Sequence, residues 1–233
     1  DVPRGGLGRW FQILEEHFMP LFWTNLVTFE WLLPCFACLF FLTELWDSLS
    51  WAGTYVFFVL AGPGVTALHY NCMRIVRGVP VWWWDDYKEC VRREWKKAML
   101  LSAILGALWS GYVYALRLII AVSGGLGLMY SMLFAVCGFV LTGLTALSYQ
   151  QLANVELPFG NVLKNALLLI FAGKGRSFAA VMFALAVLAL CARYYLYAFF
   201  VLLVGFYAVG VMTFSLIFLP VFNEFFPSGD DAQ

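Results

Sequence analysis

The stretch AMLLSAILGALWSGYVYALRLII, residues 98–120, decides the fold. It exceeds the about 20 apolar residues that an α-helix needs to cross a bilayer, and it carries one charge, Arg117. After the turn Ser123-Gly124-Gly125 a second such run occupies residues 126–147. On the N-terminal side lie two more, residues 21–43 and 51–76, and on the C-terminal side residues 177–192 and 195–219. Pro20 opens the first span and Pro220 is expected to stop the last. The reading is an all-α, polytopic transmembrane bundle with about six spans in a single domain.

Composition agrees. Of 233 residues 63% are hydrophobic and 12% charged, against about 25% charged in a soluble domain. So much apolar surface calls for lipid as its solvent. Residues 10–19 mix Trp10, Phe11, Ile13, Leu14 and Phe18 with Gln12, Glu15, Glu16 and His17, the pattern of an amphipathic helix lying at the interface. Residues 1–10 lack the apolar core of a cleavable signal peptide. The segments 77–97 and 148–176 read as loops on one side of the membrane. The first carries the tryptophans Trp82-Trp83-Trp84 and a charged, solvated or interfacial helix, and the second a short interfacial or re-entrant helix over residues 161–171.

With six spans, one side receives Arg4, Arg9, Arg74, Arg77, Lys88, Arg92, Arg93, Lys96, Lys97, Lys164, Lys174 and Arg176, and the other at most Arg117 and Arg193. Lys and Arg accumulate on the cytoplasmic side, so both termini are expected in the cytoplasm. Arg117 and Arg193, near the outer ends of their spans, are read as snorkelling to headgroups. The basic cluster Arg92, Arg93, Lys96, Lys97, Lys174 and Arg176 is a candidate docking face, or a face that meets anionic headgroups. Net charge is zero and gives no reason to expect nucleic acid.

Two ionisable groups fall at membrane depth. Glu30 lies roughly 13 Å into the first span and His69 roughly 10 Å into the second, counted at the helical rise. The two can meet in the inner half of the bilayer. Such a pair relays protons or binds a polar solute, or more simply glues two helices. Pro34, and the triplet Gly62-Pro63-Gly64, are candidate helix breaks. Asn25, Thr28, Asn71, Thr142, Thr145, Gln150, Gln151 and Asn154 supply further hydrogen-bonding groups, for a cavity or for interhelical bonds.

Enzyme chemistry is not expected. The two histidines, His17 and His69, form no HExxH, and Gly173-Lys174-Gly175-Arg176 lacks the spacing of a phosphate loop. Asp85-Asp86 reads as a solvated helix start rather than a metal pair. The six cysteines read as buried small hydrophobes, the Cys35-Phe-Ala-Cys38 spacing included. No cofactor or metal is implied.

The segments Asn25-Leu26-Val27, Gly64-Val65-Thr66-Ala67-Leu68 and Arg74-Ile75-Val76-Arg77-Gly78, the Asp86-Tyr87-Lys88 helix start, and the later run from Leu157-Pro158-Phe159-Gly160-Asn161 to Leu168 follow in order. Together they resemble the YesL-like family of bacterial integral membrane proteins, over about residues 10–178. Glu30 departs from the family's uncharged first span. The resemblance implies a Gram-positive-type plasma membrane and a gene neighbourhood of carbohydrate ABC importers and polysaccharide-degrading enzymes. It transfers no activity and no site residues. The expected function is an accessory or scaffold subunit touching an importer's permease or ATPase. The permease itself is not expected, because Glu156-Leu157-Pro158 lacks the layout of an EAA motif. The alternative is a stand-alone small-solute transporter or channel built on the broken helices and on Glu30 with His69.

Overall fold

The computed structural model describes residues 6–41, 48–123, 127–194, 197 and 201–226. Every regular element among them is helical: α1 (Leu7–Glu16), α2 (Phe18–Phe41), α3 (Ser48–Arg77), α4 (Trp83–Ser123), α5 (Leu128–Asn154), α6 (Phe159–Ala172), α7 (Lys174–Arg193), a π-helical turn (Leu202–Phe206) and α8 (Tyr207–Phe225). Five stretches are long and apolar enough to cross a membrane: Phe18–Cys38, Trp51–Arg77, Trp83–Val122, Leu128–Asn154 and Tyr207–Phe225. The pair Phe159–Ala172 and Gly175–Cys191, bent by 108°, makes a sixth if it counts as one broken span. The chain is a multi-pass membrane protein with an all-helical fold.

Several elements differ from the sequence expectation. The charged segment after residue 82 is not a separate interfacial helix. It is the first third of α4, which continues for 41 residues, or about 60 Å. That is about twice the ~30 Å hydrocarbon thickness, so α4 extends well beyond the lipid core. Its N-terminal end is anchored by Asp86, buried rather than solvated, which accepts from Trp82 N–H (2.8 Å) and pairs with Arg74 (3.2 Å). Residues 148–154, placed in a loop by the sequence, are the last turns of α5, and Ser148 to Ala153 are buried.

The candidate breaks also resolve differently. α2 runs through Pro34 and α3 runs through Gly62-Pro63-Gly64 without leaving the helix. The glycines are there for close approach. A Cβ on Gly62 would meet the Ser102 side chain and stand 2.7 Å from the Ala98 carbonyl, and one on Gly64 would stand 2.8 Å from the Trp31 ring. α3 thus lies flush against α4 on one side and α2 on the other. Pro220 does not end α8 either, which continues to Phe225. The interruption falls instead in the π turn before α8, where Gly205 takes φ 126°, a conformation that side chains rarely adopt. The sequence reading had one unbroken span over residues 195–219.

Antiparallel register follows from specific contacts. Tyr55 OH donates to Ala103 O (3.0 Å) and the Arg93 guanidinium stands 5.4 Å from the Tyr70 ring, which aligns α3 with α4. Trp109 Nε1 donates to Thr145 Oγ1 (3.0 Å) and Arg93 to Ala153 O (3.2 Å), which aligns α4 with α5. The main apolar core gathers Leu68, Met73 and Ile75 of α3, Leu147 of α5, Ile170 of α6 and Phe218 and Phe222 of α8. A second, around Leu101 and Leu105 of α4, joins Tyr149, Leu152 and Val162.

Candidate functional site

A set of buried polar side chains lies where α2, α3, the start of α4 and the π turn meet. Asn71 on α3 donates to Thr24 Oγ1 of α2 (3.1 Å) and to the Trp83 carbonyl at the start of α4 (2.9 Å), so one amide ties three helices. Tyr87 OH donates to the Gly64 carbonyl (3.3 Å) and lies 3.2 Å from Thr28 Oγ1. Asn25 clamps the π turn: its Nδ2 donates to Leu202 O (2.9 Å), and its Oδ1 accepts from Ala208 N–H (2.9 Å). A helix break frees backbone groups that lipid cannot satisfy, and this side chain supplies the partners.

His69 sits at the centre. Its Nδ1 lies 2.7 Å from Gln150 Oε1, and because that atom is an amide oxygen, Nδ1 carries the proton. The ring stacks on Tyr149 with centroids 5.9 Å apart. Tyr149 OH shares a hydrogen bond with Ser102 Oγ (2.7 Å), and Ser215 Oγ of α8 approaches Gln150 Oε1 (3.4 Å). His69, Gln150, Tyr149 and Ser215 are all buried. Around them, Gln150 Nε2, both amide atoms of Gln151, Ser148 Oγ and Ser177 Oγ are buried without a hydrogen-bonding partner.

The structure therefore pairs His69 with Gln150 and leaves Glu30 exposed on α2. Next to His69, the Tyr70 ring faces the Arg93 guanidinium, so the His69 turn lies level with the charged third of α4.

The candidate docking residues divide in two. Arg93 and Lys97, although exposed, are paired: Arg93 with Glu94 (2.9 Å), the Ala153 carbonyl and the Tyr70 ring, and Lys97 with Glu94 (3.3 Å). Arg92, Lys96 and Arg176 are exposed; the Lys174 side chain lies outside the described residues. Asp85 with Lys88, and the rings of Trp84 and Trp95, complete the outward face of α4, with Trp82 exposed just before it. The cysteines are free thiols, Cys35 donating weakly to Thr54 O (3.6 Å). Among the described residues no three His, Cys, Asp or Glu side chains converge on a point.

Comparison with known proteins returns nothing: no family model, no curated protein and no solved structure matches the chain.

Proposed function

We propose that this protein is a membrane-embedded accessory or scaffold subunit that docks a partner through the outward face of the first third of α4. The observation that carries the reading is the division of that segment into two faces. Asp86, Tyr87, Cys90 and Glu94 are buried against the bundle, while Lys88, Glu89, Arg92, Trp95 and Lys96 point away from it. A mixed-charge face with large aromatic rings, fixed on a rigid helix, suits recognition of a protein surface near the membrane. The polar side chains buried behind it form interhelical bonds and fix its position. The resemblance to the YesL-like family supports a carbohydrate ABC importer as the partner, through its permease or ATPase. It also supports the bacterial plasma membrane. The distribution of Lys and Arg supports cytoplasmic termini and a cytoplasmic position for this face.

A second reading, a small-solute transporter, draws on the unpartnered amide of Gln151 and its neighbours Gln150, Ser148 and Ser177. It is the weaker reading, since α3 is continuous and Glu30 does not reach His69.

The test is a mild-detergent pull-down of the tagged chain from native membranes, beside a variant carrying Lys88→Glu, Arg92→Glu and Lys96→Glu. Near-stoichiometric recovery of a sugar permease and ATPase with the parent chain, lost in the variant, supports the docking reading. Recovery of the chain alone sinks it and turns attention to solute flux.

A further inference from the structure

Away from the polar core, a groove of about 830 Å³ runs between α7 and α8 and is closed at one end by α1. Phe183, Val187 and Leu190 form one wall, Phe206, Val209 and Gly210 the other, with Leu7, Trp10 and Phe11 of α1 across the end. Two polar groups on its wall, the Trp10 indole and the Thr213 hydroxyl, have partners. Trp10 Nε1 donates to Thr213 Oγ1 (2.8 Å), and Thr213 Oγ1 donates to Val209 O (2.7 Å). A hydrogen-bonding solute finds little to hold there, whereas a hydrocarbon chain loses nothing by leaving the bulk lipid.

Two further features fix the kind of hydrocarbon. Along α7 the groove extends from Phe183 to Tyr194, eleven residues or about 16 Å at the helical rise. That length accommodates an acyl chain about half as long as the ~30 Å hydrocarbon core is thick. At the Tyr194 end the rim is polar and aromatic. The Arg193 guanidinium stands 5.3 Å from the Tyr194 ring centroid, and Tyr194 and Tyr197 are both exposed. Tyrosines with an arginine mark the headgroup level, and guanidinium is well suited to a phosphate. We propose that this groove is a binding site for one membrane glycerophospholipid, with an acyl chain between α7 and α8 and the phosphate on Arg193. Such a lipid stabilises α7 against α8 where the two helices leave a gap, and it is a component of the fold rather than a transported solute.

Gly210 allows a direct test, because a Cβ there meets nothing within 4 Å and a larger side chain grows into open space. The full chain is purified in a non-ionic detergent and examined by native mass spectrometry. Its lipid complement is then titrated with phosphatidylglycerol and, separately, with diacylglycerol, which lacks the phosphate. The parent chain is expected to retain one phospholipid. Gly210→Trp should lower retention at least about tenfold, while Met132→Trp, on an exposed part of α5, leaves it unchanged. Arg193→Gln should weaken phosphatidylglycerol binding about tenfold and leave diacylglycerol binding as it was. A monodisperse size-exclusion profile shows that each variant is folded. Retention by folded Gly210→Trp equal to the parent's overturns the site, as does a parent chain that carries no phospholipid. Equal loss of both lipids in Arg193→Gln overturns the assigned headgroup contact. A doubled mass with no lipid bound means that a second copy of the chain fills the groove, and overturns the lipid.

Discussion

The two ends of this bundle are built on different chemistry. Around His69, four helices meet through buried amides and hydroxyls, and glycines bring backbones into contact. At the opposite end, α4 and α5 show the lipid a run of large apolar side chains: Leu118, Ile120 and Val122, then Leu128, Met129, Met132 and Leu133. Lipid tails are as apolar as leucine, so apolar side chains alone give helices little reason to associate within a bilayer. Directional bonds and close backbone packing supply the association instead. In this protein they are concentrated at one end, which therefore carries the specificity of the fold, and the other end serves mainly to match the membrane.

The strongest test of that contrast uses two glycines on the α3–α4 hairpin. Gly62→Leu drives a side chain into Ser102 and the Ala98 carbonyl and should cost about 3 kcal/mol or more, read as loss of monodisperse protein and a lower melting temperature in detergent. Gly111→Leu, with nothing within 4 Å of its Cβ, should be neutral or gain up to about 1 kcal/mol from helix propensity. Equal losses in the two variants would break the comparison. Next in size is Asn25→Leu, which leaves Leu202 O and Ala208 N–H without their partner and should cost about 2–4 kcal/mol. Faster hydrogen exchange at the Ala208 amide would locate the loss at the π turn.

The adjacent glutamines sharpen the contrast further. Gln150→Leu removes the acceptor of His69 and should destabilise by about 1–3 kcal/mol. Gln151→Leu removes a buried amide that has no partner and should be neutral or stabilise by up to about 1 kcal/mol, checked by thermal denaturation in the same detergent. If Gln151→Leu instead costs as much as Gln150→Leu, its amide holds a ligand and the solute reading gains ground. The smallest effect belongs to Met132→Ala on the apolar end, within about 0.5 kcal/mol.

Much of this architecture was legible in residue order, because hydropathy is local. Residues 98–120 and 126–147 had to be helices in lipid whatever their neighbours. What composition hides is how helices meet. Gly62 and Gly64 read as helix breakers, since the sequence does not show that Ser102 and Trp31 press against them. The continuity of α4 left a trace that charge masked. Tyr87, Cys90, Glu94, Ala98, Leu101 and Leu105 form one buried stripe at steps of three or four, flanked by Asp86 and Ser102, but Asp86 and Glu94 are carboxylates. Glu30 and His69 were joined on depth alone, whereas His69 turns toward α5 and Glu30 outward. Gly205 gave the weakest signal, a single glycine in an apolar run, and its counterpart was Asn25, 180 residues earlier in the chain.

That separation has a consequence for synthesis. The α3–α4 hairpin joins neighbours in sequence and can assemble as soon as both helices have left the ribosome. The Asn25 clamp cannot, because its partners Leu202 and Ala208 follow it by 177 and 183 residues and are translated long after it. Until then the Asn25 amide on α2 lacks those two backbone partners, so the π turn locks onto α2 only after α3 to α7 have been made.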